Sequence, residues 1–182
     1  MDKVKIPTTI VKAFDILEKN NFEGFLIGGC VRDYLLNKEP KDWDITTNAT
    51  PEQIIKTFKE YKTFYENDFG TVGVLINNKI LEITTYRKEG KYSDSRHPDS
   101  VVWADKIEDD LKRRDFTINA MALSVPRGTF VDIFNGKEDL NNKIIRTVGD
   151  PKERFKEDAL RMLRAIRFYA CLGKDYIIEE KT

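Results

Sequence analysis

The most informative stretch of the sequence is Gly28-Gly29-Cys30-Val31-Arg32-Asp33, followed after a short spacer by Asp42-Trp43-Asp44. The apolar run Phe25-Leu26-Ile27 stops at the glycine pair, which predicts a strand that ends in a tight turn before a short helix. Glycine amides at such a turn form a site for a phosphate group. Because side chains alternate along a strand, Asp42 and Asp44 would share one face, where their oxygens suit Mg²⁺ or Mn²⁺. The stretch therefore predicts a site where a nucleotide phosphate meets a divalent cation.

Each of these two elements is weak evidence alone. Glycine pairs mark turns of every kind, and Asp-x-Asp pairs occur in many solvated turns. Their order and proximity favour a functional site, and Arg32 lies one helical turn past the glycines, where it can pair with a phosphate. The sequence contains no Gly-x-x-x-x-Gly-Lys-Ser/Thr motif, which excludes a P-loop.

Composition indicates one globular domain, or one domain with the start of another. The 182 residues are 40% hydrophobic, their formal net charge is zero, and no apolar run approaches the length of a membrane span. The amino terminus lacks a signal-peptide core, so we expect a cytoplasmic protein with no membrane partner. Cys30, Cys171 and His97 are the only cysteines and histidine. They predict free thiols rather than a disulfide, are too few for a zinc site, and give little support to a Ser-His-Asp triad.

Apolar periodicity and capping residues predict an α+β fold with a mixed sheet flanked by helices. A helix is expected over residues 8–20 with a threonine cap. Thr50-Pro51-Glu52-Gln53 has the form of a capping box and opens a helix to about residue 59. Asn77-Asn78 predicts a hairpin turn. The expected strands are residues 25–27, 41–45, 64–65, 72–76 and 80–85.

A further helix is expected from Asp150-Pro151-Lys152-Glu153 to about Cys171. Residues 143–167 carry eight Lys/Arg against four Asp/Glu, which permits a phosphate-bearing partner. We interpret this helix as the start of a second, helical layer and divide the chain into residues 1–148 and 149–182. The apolar positions of the helix are Ala159, Leu160, Leu163, Ile166, Phe168 and Ala170.

Two further features leave alternatives open. Glu82 stands among apolar residues in the strand 80–85, where a metal or a basic partner would explain an acidic side chain, although a surface position would also do so. The stretch Arg87–Asp99 is rich in glycine, serine and charge and predicts a solvated loop. Loops of this length between ordered elements are nevertheless often functional.

Five blocks in order resemble the bacterial-type class II tRNA nucleotidyltransferases, which include CCA-adding enzymes and bacterial poly(A) polymerases of the polymerase-β superfamily. The resemblance runs from about Gly24 to Phe168. It implies a polymerase-β-type head in residues 1–148 and the start of an all-helical neck in 149–182, with the body and tail regions of the family absent. The blocks are Gly28-Gly29-x-x-Arg32-Asp33, Asp42-x-Asp44, Leu81-Glu82-Ile83-Thr84-Thr85-Tyr86-Arg87, Arg113-Arg114-Asp115-Phe116-Thr117-Ile118-Asn119-Ala120-Met121-Ala122 and Glu157-Asp158-x-x-Arg161.

The resemblance implies roles for the matching residues. Asp42, Asp44 and Glu82 would be catalytic and would hold two Mg²⁺ ions. The nucleotide would be bound by Gly28, Gly29, Arg32, Arg114, Asp115, Asn119, Asp158, Arg161, Arg164 and Arg167.

Within that set, Asp158 and Arg161 match a signature that recognises the incoming base. One helical turn separates them, so we expect their side chains to pair while offering an acceptor and a donor fork to a base edge. Arg164 and Arg167 continue the row towards the phosphates. The alternative is a solvated basic helix face.

The implied reaction is attack of an RNA 3′-hydroxyl on the α-phosphate of CTP or ATP, with release of pyrophosphate and addition of CCA to the 3′ end of tRNA. The stretch 87–99 resembles the loop that helps the family switch from CTP to ATP, although Arg96-His97-Pro98 departs from the usual Arg-Arg-Pro. The alternatives are a poly(A) polymerase, a CC-adding or an A-adding enzyme of the same family. From another class, the alternative is a nucleotide- or RNA-binding module without turnover.

Overall fold

A mixed sheet forms the centre of the computed structural model, which describes residues 4–67, 69–125 and 127–182. The strands are β1 (Gly24–Ile27), β2 (Ile45–Thr47), β3 (Lys62–Asn67), β4 (Thr71–Ile76), β5 (Lys79–Thr85), β6 (Arg87–Glu89), β7 (Val101–Trp103), β8 (Ala122–Ser124), β9 (Thr129–Val131), β10 (Ile144–Ile145) and β11 (Ile177–Ile178). The helices are α1 (Thr8–Lys19), α2 (Gly29–Leu35), α3 (Pro51–Thr57), α4 (Ile107–Lys112), α5 (Gly136–Asn141), α6 (Pro151–Glu157) and α7 (Leu160–Leu172), with a 3₁₀ turn at Thr117–Asn119.

The central sheet has seven strands in the order β3-β4-β5-β2-β1-β8-β9. β2 runs parallel to β5 and antiparallel to β1, so the sheet is mixed, and the predicted α+β class is confirmed. β4 and β5 form the predicted hairpin, in which Asn77 and Asn78 both have positive φ angles (50° and 59°). Asparagine tolerates this conformation better than most residues, which explains the sequence signal.

Both faces of the sheet are covered near its centre. On β1, Leu26 belongs to the main core, whereas Phe25 and Ile27 belong to a second cluster around the buried Tyr86. Such burial on both sides explains why β1 is a continuous apolar run. The main core is closed by α1, whose buried side chains recur at helical spacing: Ile10, Ala13, Phe14 and Leu17.

Helix starts were predicted with mixed success. The capping box of α3 is formed as expected: Gln53 N donates to Thr50 Oγ1 at 3.3 Å, and Thr50 N donates to Gln53 Oε1 at 2.8 Å. The threonine cap expected for α1 is wrong, because Pro7 occupies the N-cap position and Thr8 already lies inside the helix. Since Pro7 cannot supply a side-chain acceptor, this helix starts with no side-chain cap.

The strand expected over residues 41–45 is wrong, because β2 begins only at Ile45. Its partner β1 ends at Ile27, so residues 41–43 have no counterpart on that side of the sheet. Asp44 makes the last connection through its carbonyl, which accepts from Ile27 N at 3.2 Å. Asp42 and Asp44 therefore lie in an extended segment at the end of the sheet rather than within a strand.

The expected loop at 87–99 begins later than predicted. Arg87–Glu89 forms β6, which pairs with β7 and leaves residues 90–100 as the connection between them. The strand Arg87–Glu89 consists of charged residues, so it lacks the apolar alternation that predicts a strand. Arg87 and Glu89 are accommodated there as an ion pair at 2.8 Å.

The single helix expected from Asp150 to Cys171 is interrupted. Asp158 has extended backbone angles (φ −142°, ψ 105°) that end α6, and its Oδ1 accepts from Leu160 N at 2.9 Å, which caps α7. The loop contacts the chain at this break, where Ala159 N donates a hydrogen bond to Ser95 O at 3.0 Å.

Most of the apolar positions expected in this helix face outwards. Of the six, Phe168 is buried, Ala159 and Ala170 are exposed, and Leu160, Leu163 and Ile166 are 41–61% exposed. No helix in the ranges that the structure describes is long and apolar enough to cross a membrane.

Candidate active site

The glycine turn between β1 and α2 packs against Arg114. Gly28 has a φ of 76°, and a Cβ placed on it would lie 3.0 Å from Arg114 Nη1. A larger residue would therefore need a left-handed backbone and would also crowd the guanidinium. This close approach explains why the strand stops at a glycine.

Arg114 presents a donor that the protein leaves unused. Its Nη2 donates to Asp110 at 3.2 Å, while its Nε is buried with no hydrogen-bond partner among the described residues. Burial opposes the ionisation of Asp110, but Arg113 and Arg114 outweigh it and hold the pKa of this carboxyl below its usual range. A buried donor without a partner indicates a place for an anionic or polar ligand.

A chain of polar contacts joins α2 to α7 through the 3₁₀ turn. Arg32 donates to Asp33 and to Asn119 Oδ1, both at 2.9 Å. Asn119 in turn donates to Asp115 at 3.4 Å, and Asp115 accepts from Arg164 at 2.6 Å. Four of the predicted nucleotide-binding residues are thus brought together, from positions that are far apart in sequence.

The paired carboxylates lie where two cavities meet. One cavity, of about 600 Å³, reaches from Asp42 and Asp44 to Gly29, Arg32 and Arg167. The other, of about 450 Å³, reaches from the same pair to β5 and the start of α1. Both volumes are in the range of small-molecule sites.

The electrostatics of the pair suit a cation. Burial raises the pKa of Asp44, and the charge of Asp42 raises it further, although Arg114 opposes both. A divalent cation would relieve the repulsion between the two carboxylates. Its positive charge would also stabilise the ionised form of Asp44, which burial disfavours. The donor set of Asp42 and Asp44 therefore fits such an ion.

The predicted third ligand is not gathered with this pair. Glu82 lines the cavity between Asp42 and β5, but no group of three His, Cys, Asp or Glu side chains in the described residues is placed to hold a metal ion. Strand register aligns Ile45 with Ile83, but Asp42 and Asp44 lie outside that ladder.

Cys30 lies beside Gly29 in the same cavity as the carboxylates. Its Sγ donates to Ile27 O at 3.2 Å. Burial raises its pKa to about 11, with Asp44 adding to the effect, so the side chain stays a neutral thiol near pH 7. Nucleophilic catalysis by this cysteine is therefore disfavoured.

The pairing expected between Asp158 and Arg161 is wrong. Arg161 is 6% exposed and donates to Glu157 at 2.6 Å and to the carbonyl of Arg154 at 3.1 Å. Because the helix breaks at Asp158, that side chain caps α7 instead. Glu157 was missed as the partner, although its spacing of four residues from Arg161 is a known signal for a helical ion pair.

β6 and the loop that follows it contribute residues to the site that the sequence did not single out. Glu89 pairs with Arg113 at 3.0 Å and accepts a hydrogen bond from the Tyr92 hydroxyl, and Arg161 lies 6.0 Å from the Tyr92 ring centroid. An open cavity of about 300 Å³ lies between this loop and α7. Among the residues that line it are Tyr92, His97, Arg114, Asp158, Arg161 and Arg164.

A glycine turn with an unused arginine donor, a carboxylate pair and a row of helical arginines thus accompany a mixed sheet in an α+β domain. Residues 24–146 match the family described as Poly A polymerase head domain. The match covers more than half of the sequence, and the chain belongs to this family.

Relatives and solved structures extend the likeness across the chain. The chain is 49% identical to the CCA-adding enzyme of Lactobacillus helveticus (strain DPC 4571), which it matches over 98% of its own length and 44% of the relative. It is 47% identical to the CCA-adding enzyme of Enterococcus faecalis (strain ATCC 700802 / V583), over 100% of the chain and 45% of the relative.

The fold is also similar to the crystal structure of Bacillus stearothermophilus CCA-adding enzyme in complex with CTP. The TM-score is 0.86 at 39% identity, over 98% of this chain and 42% of that one. A second similar structure is Thermotoga maritima CCA-adding enzyme complexed with tRNA, with a TM-score of 0.76 at 28% identity, over 98% of this chain and 41% of that one. The chain spans less than half the length of these relatives.

Proposed function

We propose that the chain is a nucleotidyltransferase of the CCA-adding type, which transfers nucleotides from CTP and ATP to the 3′ end of tRNA and releases pyrophosphate. The observation that carries this proposal is the buried Nε of Arg114, which has no partner in the described residues. The Nη1 atom of the same guanidinium lies against Gly28, whose neighbour Gly29 shares a cavity with Asp42 and Asp44. The CTP and tRNA complexes of similar proteins support the choice of substrates.

The nucleotide would lie along α7, between the loop cavity and the carboxylates. Arg32, Arg114, Arg164 and Arg167, with the amides of Gly28 and Gly29, would bind the triphosphate. Asp115 and Asn119 would bind the ribose, since they connect these arginines. Asp158 would present Oδ2 to the base, because its Oδ1 is used as a helix cap, and Arg161 would complete the base contact.

We propose that Asp42 and Asp44 hold Mg²⁺, whose remaining ligands would be phosphate oxygens and water. When bound, the ion supplies Lewis acidity to the acceptor hydroxyl and offsets the negative charge of the leaving pyrophosphate. Glu82 stays the proposed third ligand, on the ground that it lines the same cavity as the pair.

We also propose that residues 1–148 act as the catalytic head and residues 149–182 as the nucleotide-recognising start of a helical neck. The ion pair between Asp115 and Arg164 connects the two parts at the site. The cytoplasm is the proposed location, in keeping with the free thiols of Cys30 and Cys171.

The test is sequencing of the 3′ ends of a tRNA without its CCA end, after incubation of the chain with CTP, ATP and Mg²⁺. We expect CCA ends. Long tails of A would favour a poly(A) polymerase, and ends that stop at CC or gain only A would favour the more restricted enzymes of the family. Nucleotide binding without any addition would favour a binding module.

Asp42→Ala and Asp44→Ala should each reduce addition by about a hundredfold or more, because each removes a charge that the proposed ion requires. Asp105→Ala serves as the matched control, since Asp105 is exposed and lies outside the cavities at the site. Equal rates of addition by the wild type and by both site variants would refute metal catalysis at this pair.

A further inference from the structure

Three guanidinium groups surround the ring of Phe168. The Cζ atoms of Arg32, Arg164 and Arg167 lie 5.4, 5.6 and 5.3 Å from the ring centroid. Arg164 and Arg167 share α7 with the ring, whereas Arg32 comes from α2. Phe168 itself is 6% exposed, so the contacts are made at the edge of the core rather than in open solvent.

The charges in this group do not balance. Arg32 pairs with Asp33 at 2.8 Å and Arg164 with Asp115 at 2.6 Å, whereas Arg167 has no ion pair within the described ranges. Three cations against two carboxylates leave one positive charge beside the cavity that also contains Asp42 and Asp44. Cations gathered this closely repel one another, and the negative faces of an aromatic ring offset part of that cost.

The ring is itself held in a fixed orientation. Phe116 packs against Phe168 edge to face, with centroids 5.6 Å apart and an interplanar angle of 85°. Phe116 is fully buried and follows Asp115 in the chain, so the ring contact and the ion pair of Asp115 with Arg164 connect the same two elements. The position of the ring is thus set by the core, and the arginines are arranged around it.

We propose that Phe168 is a positioning residue: its ring holds Arg32, Arg164 and Arg167 in the arrangement that binds the triphosphate of the nucleotide. This inference rests on the proposed function, because it assigns these arginines to the phosphates. A merely structural role would require only the apolar volume of Phe168, which a branched aliphatic side chain can largely supply. The two roles therefore differ in whether the aromatic face is needed.

The test compares Phe168→Leu with Phe58→Leu. Phe58 is fully buried in the same core and packs edge to face against Tyr61 at 6.2 Å, but no guanidinium lies against its ring in the described residues. Both variants lose a buried ring, and both are expected to unfold at a lower temperature than the wild type. The dissociation constants of CTP and of inorganic tripolyphosphate are then measured by calorimetry on each folded protein.

Phe168→Leu should raise both dissociation constants roughly five- to tenfold, the size expected for the loss of several partly desolvated cation–π contacts. Phe58→Leu should leave them unchanged, and Phe168→Tyr, which restores the ring, should recover most of the affinity. If Phe168→Leu shows no cooperative unfolding transition, Phe168→Met replaces it with the same expectations, because methionine retains most of the packing volume.

Equal affinities of Phe168→Leu and wild type would overturn the inference, as would an equal loss in Phe58→Leu. These outcomes are separate from a failure of the proposed function. A wild type that extends tRNA and a Phe168→Leu variant that binds tripolyphosphate normally would overturn the inference alone. A wild type that binds tripolyphosphate but extends no RNA would overturn the proposed function alone, provided that Phe168→Leu weakens that binding.

Discussion

A comparison of Gly28 with Gly128 can show whether Gly28 is needed for its backbone conformation or for the space beside it. Gly28 and Gly128 have φ angles of 76° and 63°, but a Cβ on Gly128 would meet nothing within 4 Å. Both substitutions by alanine should lower the free energy of unfolding, because alanine disfavours a positive φ: Gly128→Ala by roughly 1 kcal/mol. Gly28→Ala should cost about 1–3 kcal/mol, since its ψ of −132° adds to the strain. Only Gly28→Ala should weaken CTP binding, since only there does the new methyl group press on Arg114. Titration of CTP into both variants checks this, and equal loss in the two would show that strain alone is responsible.

Asp158 has two separable duties in the proposed site. Its Oδ1 caps α7, and Oδ2 is left for a base. Asp158→Ala should remove both, lower the stability by about 1 kcal/mol and relax the preference for CTP and ATP over UTP and GTP. Asp158→Asn keeps a capping oxygen, so it should restore stability without restoring the preference. Thermal unfolding and incorporation assays with each nucleotide measure the two effects, and an Asp158→Ala variant with the wild-type preference would contradict base recognition by this residue.

At the scale of the element, α7 buries a face that combines Arg161 with Phe168 and exposes most of its aliphatic side chains. Arg161, Ala165 and Phe168 are buried, whereas Ile166 is 59% exposed. Ile166→Ala should therefore change the free energy of unfolding by less than about 0.5 kcal/mol. Ile118→Ala, at a fully buried position, should cost about 2–5 kcal/mol. Denaturant unfolding of the two variants compares the same substitution at an exposed and at a buried position. Similar losses of stability would show that Ile166 is buried and that α7 packs with its other face against the core.

Elements with local signals could be predicted from the sequence, whereas those set by tertiary contacts could not. The capping box at Thr50 and the Asn77-Asn78 turn are encoded within a few residues, and both form as expected. The break at Asp158 has no such signal, because the polar row that follows it is typical of a continuous helix. At the site, the sequence identified the residues but not their partners, since an ion pair such as Asp115 with Arg164 depends on the fold.

At the scale of the whole molecule, a buried ionic network fastens the loop to the nucleotide site. Glu89 binds Arg87 and Arg113, Asp110 binds Arg113 and Arg114, and Arg114 lies against Gly28. Buried charges of this kind are costly when one partner is removed. These ion pairs connect the loop, α4 and the glycine turn. Loss of Glu89 would therefore destabilise all three elements.

Because of this network, the stability of the protein should depend on pH, and the variant Glu89→Gln tests this. Burial opposes the ionisation of Glu89, but Arg113, Tyr92 and Arg87 together hold its pKa below the ordinary value. A carboxyl with a lowered pKa in the folded state stabilises the protein above its unfolded pKa of about 4, and this stabilisation is lost as the pH falls through the folded pKa. Glu89→Gln should therefore be less stable than the wild type at pH 7, and the gap should narrow as the pH falls below about 4.

Unfolding temperatures measured across this pH range provide the test. Glu60→Gln is the matched control, because Glu60 is exposed and forms no salt bridge within the described ranges. This control should follow the wild type at every pH, since it removes no buried charge. A constant gap between Glu89→Gln and wild type down to acid pH would show that Glu89 stabilises the loop by packing, and that its charge is not what connects the loop to the arginines of the site.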